Sequence, residues 1–193
     1  MAVIGLSKPM VALYSNDGST VTYSKGAVLG KAVTFSAEVE QAEDNNLMAD
    51  NGIAESDKSF SNGTLTIGTD DLMQDASALI LGITPTSIGE DGTELIYNDD
   101  MNVPYVGFGC VVKKKKDGVF KWRAVVFPKI MFNIPSDAAD TQGETIEWQT
   151  PELTATILRD DTEKHAWKME STFATETEAV AYIKSKLNIT DAA

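Results

Sequence analysis

His165 is the only imidazole in the chain and Cys110 the only thiol. His165 stands between Lys164 and Ala166, with Asp160, Asp161 and Glu163 just upstream. A carboxylate near a histidine is the beginning of an acid–base pair, but a general base must also reach a proton it can take. Set in so charged a segment, His165 reads as a surface residue. Cys110 lies in the apolar run Phe108 to Val112. A reactive thiolate needs an electropositive, accessible setting, so Cys110 reads as an inert packed thiol. No His and Cys residues fall at zinc spacing. The pairs Asp70-Asp71, Asp99-Asp100 and Asp160-Asp161 lie at predicted element ends, where caps and solvated loops account for them; their spacing does not support a metal site or a glycosidase pair. Asp44-Asn45-Asn46 resembles the start of a calcium loop but lacks the glycine and the distant glutamate in register. No phosphate loop or nucleophile elbow is present. Trp122, Trp148 and Trp167 suggest a sugar platform, yet each falls among apolar residues of a predicted strand, which favours core or interface packing. The reading is therefore of a protein that is not an enzyme and needs no metal or cofactor.

One basic run remains, Lys113-Lys114-Lys115-Lys116, followed by Asp117-Gly118. Its simplest role is a solvated hairpin tip, where lysines also discourage edge pairing. The sharper reading is a docking patch for acidic surface on a neighbouring copy. DNA is the weakest reading, because the chain carries 29 acidic against 16 basic residues and a net charge of −13. Tight phosphate binding rests on basic surface, although DNA could pass such a protein without sticking. A lone cysteine forms no intrachain disulfide and points to no oxidising compartment. The start of the chain has neither a basic nor a long apolar leader region. Its longest apolar run, Ala78 to Leu81, is far short of the ~20 residues that cross a bilayer. A soluble protein is expected, made in the cytoplasm or released by lysis.

The elements that would position these residues are mostly strands. Lys8 to Ser15 predicts a first strand, with Pro9 near its entrance, where a missing donor does least harm. Asn16-Asp17-Gly18-Ser19 is a turn, and Thr20 to Tyr23 a second strand. Lys25-Gly26 and Gly30 punctuate the path to a third, Val33 to Glu40. There Val33, Phe35, Ala37 and Val39 share one face and Thr34, Ser36, Glu38 and Glu40 the other, which means one buried and one wet face. Asp70 is a plausible cap for a helix of about 70–82. In it Leu72, Ala76, Leu79 and Ile80 make the apolar face, and Gly82 takes the left-handed stop. Thr84 to Met101 is mostly loop, with a short strand at Glu94 to Tyr97. A long hairpin follows. It runs from Tyr105 to Val112, turns at a tip from Lys113 to Gly118, and returns from Phe120, interrupted at Pro128. Gly107 and Gly109 share a face on which something bulky packs against the backbone. Further strands are expected at 144–158 and Trp167 to Phe173. Thr175-Glu176-Thr177-Glu178 has the capping-box pattern and opens a helix to about 188, with Val180, Ile183 and Leu187 as a narrow stripe that docks loosely on a sheet edge or end. Strands with two isolated helices, rather than alternating β and α, predict antiparallel sheets in a mainly β sandwich or barrel-forming fold. One domain, 1–193, is expected.

The feature that the core leaves unexplained is Gln41 to Asn62, a long polar excursion between two strands. Loops beyond about 12–15 residues in a compact domain generally serve binding or assembly. Leu47, Met48, Asp50, Asn51, Ile53 and Phe60 are candidates for contact with another subunit.

Several segments in order resemble the major tail protein of long, non-contractile-tailed phages, the subunit of the tail tube. They are Gly5-Leu6-Ser7-Lys8-Pro9 with Ala12-Leu13-Tyr14; Val21-Thr22-Tyr23-Ser24; Leu29-Gly30-Lys31-Ala32-Val33; Met48-Ala49-Asp50-Asn51 with Ile53-Ala54-Glu55; Gly63-Thr64-Leu65-Thr66-Ile67-Gly68 with Asp70-Asp71-Leu72; Val106-Gly107-Phe108-Gly109; Pro128-Lys129; Gly143 to Pro151; and the final helix. Position 48, where the family would lead one to expect an aromatic, is a methionine. The resemblance spans nearly the whole chain through order and spacing rather than any one motif. It implies a β-sandwich subunit of the virion, a homo-oligomer of hexameric rings stacked into a tube, in contact with other tail proteins. DNA would pass through the lumen without specific binding, and the 41–62 arm would reach adjoining subunits. Carboxylates on a wet strand face would repel phosphates; the candidates are Glu38 and Glu40, with Glu144 and Glu147 after them. Alternation alone does not separate lumen from exterior. The rival reading is a monomeric β-sandwich module that binds carbohydrate or a surface receptor.

Overall fold

The computed structural model describes residues 2–18, 20–41, 45–88, 92–136, 141 and 150–190. The chain opens with three strands, β1 (Ala2–Asn16), β2 (Val21–Val28) and β3 (Ala32–Gln41). A small hairpin, β4 (Asn45–Ala49) and β5 (Gly52–Asp57), precedes β6 (Phe60–Thr69) and the helix α1 (Gln74–Leu81). Two three-residue strands, β7 (Thr86–Ile88) and β8 (Gly92–Glu94), lead to the long pair β9 (Val106–Lys116) and β10 (Val119–Phe132). Then come β11 (Glu152–Leu158), β12 (Met169–Phe173) and the helix α2 (Glu176–Lys186). The pairings are antiparallel, and the fold is mainly β, as the strand-rich pattern predicts.

One sheet runs in the order β2-β1-β9-β10-β11-β6-β3, and β12 also pairs with β10. The centre of this sheet is buried on both faces. Phe108, Cys110 and Val112 of β9 and Val125 and Phe127 of β10 point into the larger core, with Leu65, Ile67, Ile80 and Leu81. Val111, Ala124 and Val126, one position out of step, point into a second core under α2. Period-2 alternation with apolar residues in both phases gives the near-continuous apolar runs that the sequence shows here.

Pro128 does not interrupt β10. The strand hands over partners there instead: Trp122 to Val126 pair with β12, and Lys129 to Phe132 pair with β11. The register against β9 slips between Phe127 and Ile130, so the proline occupies a place where no ladder donor is required. The same logic places Pro9. β1 is longer than the 8–15 expected, and Pro9 lies in its interior, at a register shift between Ser7 and Met10. The Pro9 carbonyl accepts from the Leu29 amide at 3.0 Å. β2 likewise continues past Lys25-Gly26, which form an irregularity inside the strand rather than its end.

Other expectations are corrected. Phe35 and Ala37 of β3 do pack on the larger core, but Val33 and Val39 are 48% and 39% exposed, because β3 is an edge strand whose ends overhang the core. Asp70 caps no helix: α1 starts at Gln74 without a side-chain cap. Asp70 instead accepts the Lys31 amide at 2.6 Å and pairs with the Lys31 ammonium. Gly82 does take the left-handed stop, at φ 70°. The short strand expected at Glu94 to Tyr97 is replaced by the β7–β8 pair. Lys113 to Lys116 belong to β9, and the turn is only Asp117-Gly118, both at positive φ. Trp167 precedes the last strand, stacked on Phe60 at 4.8 Å between ring centroids.

α2 is seated firmly rather than loosely. Its capping box is formed: Thr175 Oγ1 accepts from the Glu178 amide, and Glu178 accepts from the Thr175 amide. Ala179, Ile183 and Leu187 are wholly buried. The helix approaches so closely because Gly107 and Gly109 have no Cβ. A Cβ at Gly107 would stand 2.5 Å from Leu187, and one at Gly109 2.4 Å from Ile183. This is the bulky packing that the two glycines predict.

A second lock ties the segment carrying His165 to the sheet. The Lys129 ammonium lies 2.7 Å from Asp161 and over the rings of Tyr14 and Tyr105, at 5.1 and 4.6 Å from their centroids. The Tyr14 hydroxyl donates to the same carboxylate at 2.7 Å. Burial and the Asp161 bond together push the Tyr14 phenol up to about 12. Desolvation favours cation–π contact of this kind, and the Lys129 side chain is only 13% exposed.

Candidate assembly surface

The 41–62 excursion carries structure of its own. β4 and β5 form a separate two-stranded sheet joined at Asp50 and Asn51, whose φ values are 50° and 63°. Two left-handed residues in a two-residue loop make the mirror-image turn that matches strand twist, and Asp and Asn tolerate that conformation best among residues with a side chain. Met48 and Ile53 face each other across the hairpin, while Leu47 lies opposite Glu55 beyond a bulge. Leu47, Met48 and Ile53 are 61%, 61% and 63% exposed. None of the three joins either core. A lone two-stranded hairpin is marginal in water, and neighbouring exposed apolar residues mark contact surface. Phe60, placed with this arm by sequence, lies instead at the start of β6. It packs within its own subunit between Trp167 and the Arg159 guanidinium, which also donates to the Phe60 carbonyl.

Glu38 and Glu40 are exposed on β3, opposite Thr64 and Asn62 of β6. They share a face with Thr34 and Ser36, away from Phe35 and Ala37. Among the described residues nothing pairs with the other edge of β3, so its backbone groups are open to a partner strand. Glu144, Glu147 and Trp148 lie outside the described residues.

The four lysines divide by alternation. The Lys113 ammonium lies over Phe120 and Trp122 at 4.8 and 5.5 Å, and that of Lys115 over Phe120 at 5.1 Å. Lys114 and Lys116 take the opposite face. Lys114 stands between Val3 of β1 and Lys121 of β10. On this face the sheet opens into a cleft of about 610 Å3 between the first half of β1 and β3. Ile4, Leu6, Val33 and Phe35 supply apolar walls, and Arg123 and Lys168 supply charge. Both cations hold Glu170, at 3.6 and 3.2 Å. The hydrogen bond from Lys168 is the main reason that the Glu170 carboxyl is held below its ordinary range; the charges of Lys168, Arg123 and Lys114 add to it. Sequence reading missed this cleft, because its lining joins residues from four strands and one loop. Its one local signal was Val3-Ile4, apolar residues at a chain start that are 60% and 50% exposed.

The residues first considered for chemistry are scattered. His165 is exposed, with its Nδ1 3.3 Å from the Asp160 carbonyl. Asp160 is buried and accepts from the Thr162 hydroxyl at 2.8 Å, which closes a turn. Cys110 is buried in the larger core, and that burial pushes its thiol up to about 12. Among the described residues no group of three or more His, Cys, Asp or Glu is arranged to hold a metal, and no helix is long and apolar enough to cross a membrane. No protein-family model matches the chain, and no curated protein matches it.

Proposed function

We propose that this chain is the subunit of a phage tail tube, a structural virion protein made in the host cytoplasm. It forms hexameric rings that stack around a lumen for DNA and meet other tail proteins at the tube's ends. The observation that carries this reading is the β4–β5 hairpin, which holds Met48 and Ile53 together in solvent. Burying such side chains is worth about 1.5–3 kcal/mol each, and nothing in the chain's own cores takes them up. The open edge of β3 adds a second surface for another copy, since strand addition satisfies backbone groups and barrel closure removes edges. Glu38 and Glu40 on that edge strand are the lumen candidates: a carboxylate wall repels phosphates and lets DNA slide.

Negative-stain electron microscopy and light scattering over a concentration series test this. Rings or tubes should appear as concentration rises. Replacing residues 45–57 by a short Gly-Ser linker should abolish stacking and leave the monomer folded. Monomers alone at high concentration, or tubes that persist without the hairpin, would overturn the reading.

A further inference from the structure

The hairpin and the cleft have complementary chemistry. Residues 45–57 contain Asp50, Glu55 and Asp57 and no Lys or Arg. Around the cleft stand Arg123, Lys168 and Lys114, with Glu170 the carboxylate they share. Lys121 and Lys116 extend the basic rim along the β9–β10 end. In a chain of net charge −13 this is an unusual concentration of cations. The Arg123 Nε is buried without an acceptor, so the guanidinium has donor capacity left after Glu170 is served. The walls match as well. The exposed apolar residues of the hairpin, Met48 and Ile53, would meet Val3, Ile4 and Val33, which are about half exposed at the mouth. At about 610 Å3 the open cleft has room for a few side chains of a partner.

We infer that the cleft between β1 and β3 is the receptor for the β4–β5 hairpin of a second copy of this chain. The Met48–Ile53 pair enters between Ile4 and Val33, and Glu55 meets the Lys114–Lys168 rim. The occupant comes from another copy, because among the described residues the chain's own hairpin strands pair with each other alone and stand clear of both cores. The inference rests on the tube reading and makes it more specific: it names the surface that receives the arm. Charge complementarity at such a contact sets register and rejects wrong docking as much as it adds affinity. Like charges on neighbouring acidic bodies would otherwise hold them apart.

Cysteine pairs locate the contact. In a Cys110→Ser background, one preparation carries Ile53→Cys and a second carries Ile4→Cys. The two are mixed, assembled and oxidised. A disulfide-linked dimer is expected, and none is expected when the partner cysteine is placed at the exposed Ser185 of α2. Tubes that assemble without the Ile53–Ile4 link overturn this inference and leave the tube reading standing. Failure of the unmodified protein to assemble overturns both. A charge reversal gives an independent readout. Lys114→Glu with Lys168→Glu should raise the concentration needed for assembly at least about tenfold at low salt, and Glu55→Lys should restore much of it. Because Lys168 serves Glu170, each variant's melting curve is taken alongside. An unchanged assembly threshold with an unchanged melt also overturns the inference.

Discussion

Gly109→Ala is a one-methyl change with a calculable effect. Its Cβ would stand 2.4 Å from Ile183 Cγ2 and 3.4 Å from the Val125 carbonyl oxygen. Cγ2 sits directly on the branched Cβ of Ile183, so it has no flexible stem with which to retreat. Relief requires an off-rotamer Ile183 or a lifted α2, and overpacking of that kind costs about 1–3 kcal/mol. Alanine returns about 0.4–1 kcal/mol by restricting the unfolded chain; with a clash of about 2 kcal/mol, the middle of that range, a net loss of roughly 1–1.6 kcal/mol is expected. For a chain of this size, 2–4 °C per kcal/mol implies a fall in Tm of about 2–6 °C. Ile183→Ala alone, which empties a fully buried site, should cost about 2–5 kcal/mol. In the double variant the offending methyl is gone, so only the gain of about 0.4–1 kcal/mol from the restricted unfolded chain should remain. The two changes should couple by about 1–3 kcal/mol in urea melts followed by tryptophan fluorescence. Costs that add within about 0.5 kcal/mol, or a Gly109→Ala protein as stable as the parent, would refute the claim that these glycines set the height of α2.

Met48→Lys with Ile53→Lys should shift monomer stability by no more than about 0.5 kcal/mol, since both side chains are already in water, while tubes vanish from micrographs. If the chain is a tail-tube subunit as proposed, Glu38→Lys with Glu40→Lys should leave tubes intact and slow DNA passage, read as delayed infection by virions carrying the variant; unchanged infectivity would remove these residues from the lumen. Asp161 is held below its ordinary range, first by the Lys129 bond and then by the Tyr14 bond. Its contribution is therefore present above the unfolded value of about 3.9 and is lost as pH falls through the lower folded value. Parent and Asp161→Asn melts should differ near neutral pH and converge in acid. Cys110 should resist iodoacetamide in the folded protein and react once the chain is unfolded in urea.

Local patterns gave the elements whose causes are local. The capping box at Thr175, the glycine stop at Gly82 and the alternation around Phe108 each depend on neighbours a few residues away, and each is where its pattern puts it. The paired glycines 107 and 109 even announced a close approach, though not that α2 would make it. What was misread depends on distant partners. Asp70 looks like a cap until Lys31, 39 positions earlier, takes its carboxylate. Pro128 looks like a break until a second strand takes over the ladder. Val33 looks buried until β3 proves to be an edge. The β4–β5 hairpin was not read from the sequence: the turn residues Asp50-Asn51-Gly52 lie between short apolar stretches within a polar excursion. The cleft left almost no trace, because strands far apart in the sequence supply its walls.

The place of β1 in the sheet also has a temporal meaning. It lies between β2 and β9, and its pairing runs along β9 from Ala2 opposite Lys115 to Leu13 opposite Val106. The first half of β1 therefore has no partner until residues 106–116 have followed it, whereas its second half can pair with β2 early. At about 5–20 residues per second that is a wait of several seconds. Non-local pairing of this kind folds slowly, while the hairpins β1–β2 and β9–β10, the latter closed by a two-residue turn, are local ladders able to form early. The order of synthesis thus withholds a finished β1 edge, and with it the cleft, until most of the chain exists. If the cleft receives a second copy, nascent chains on one message would offer each other no such surface until most of the chain is made.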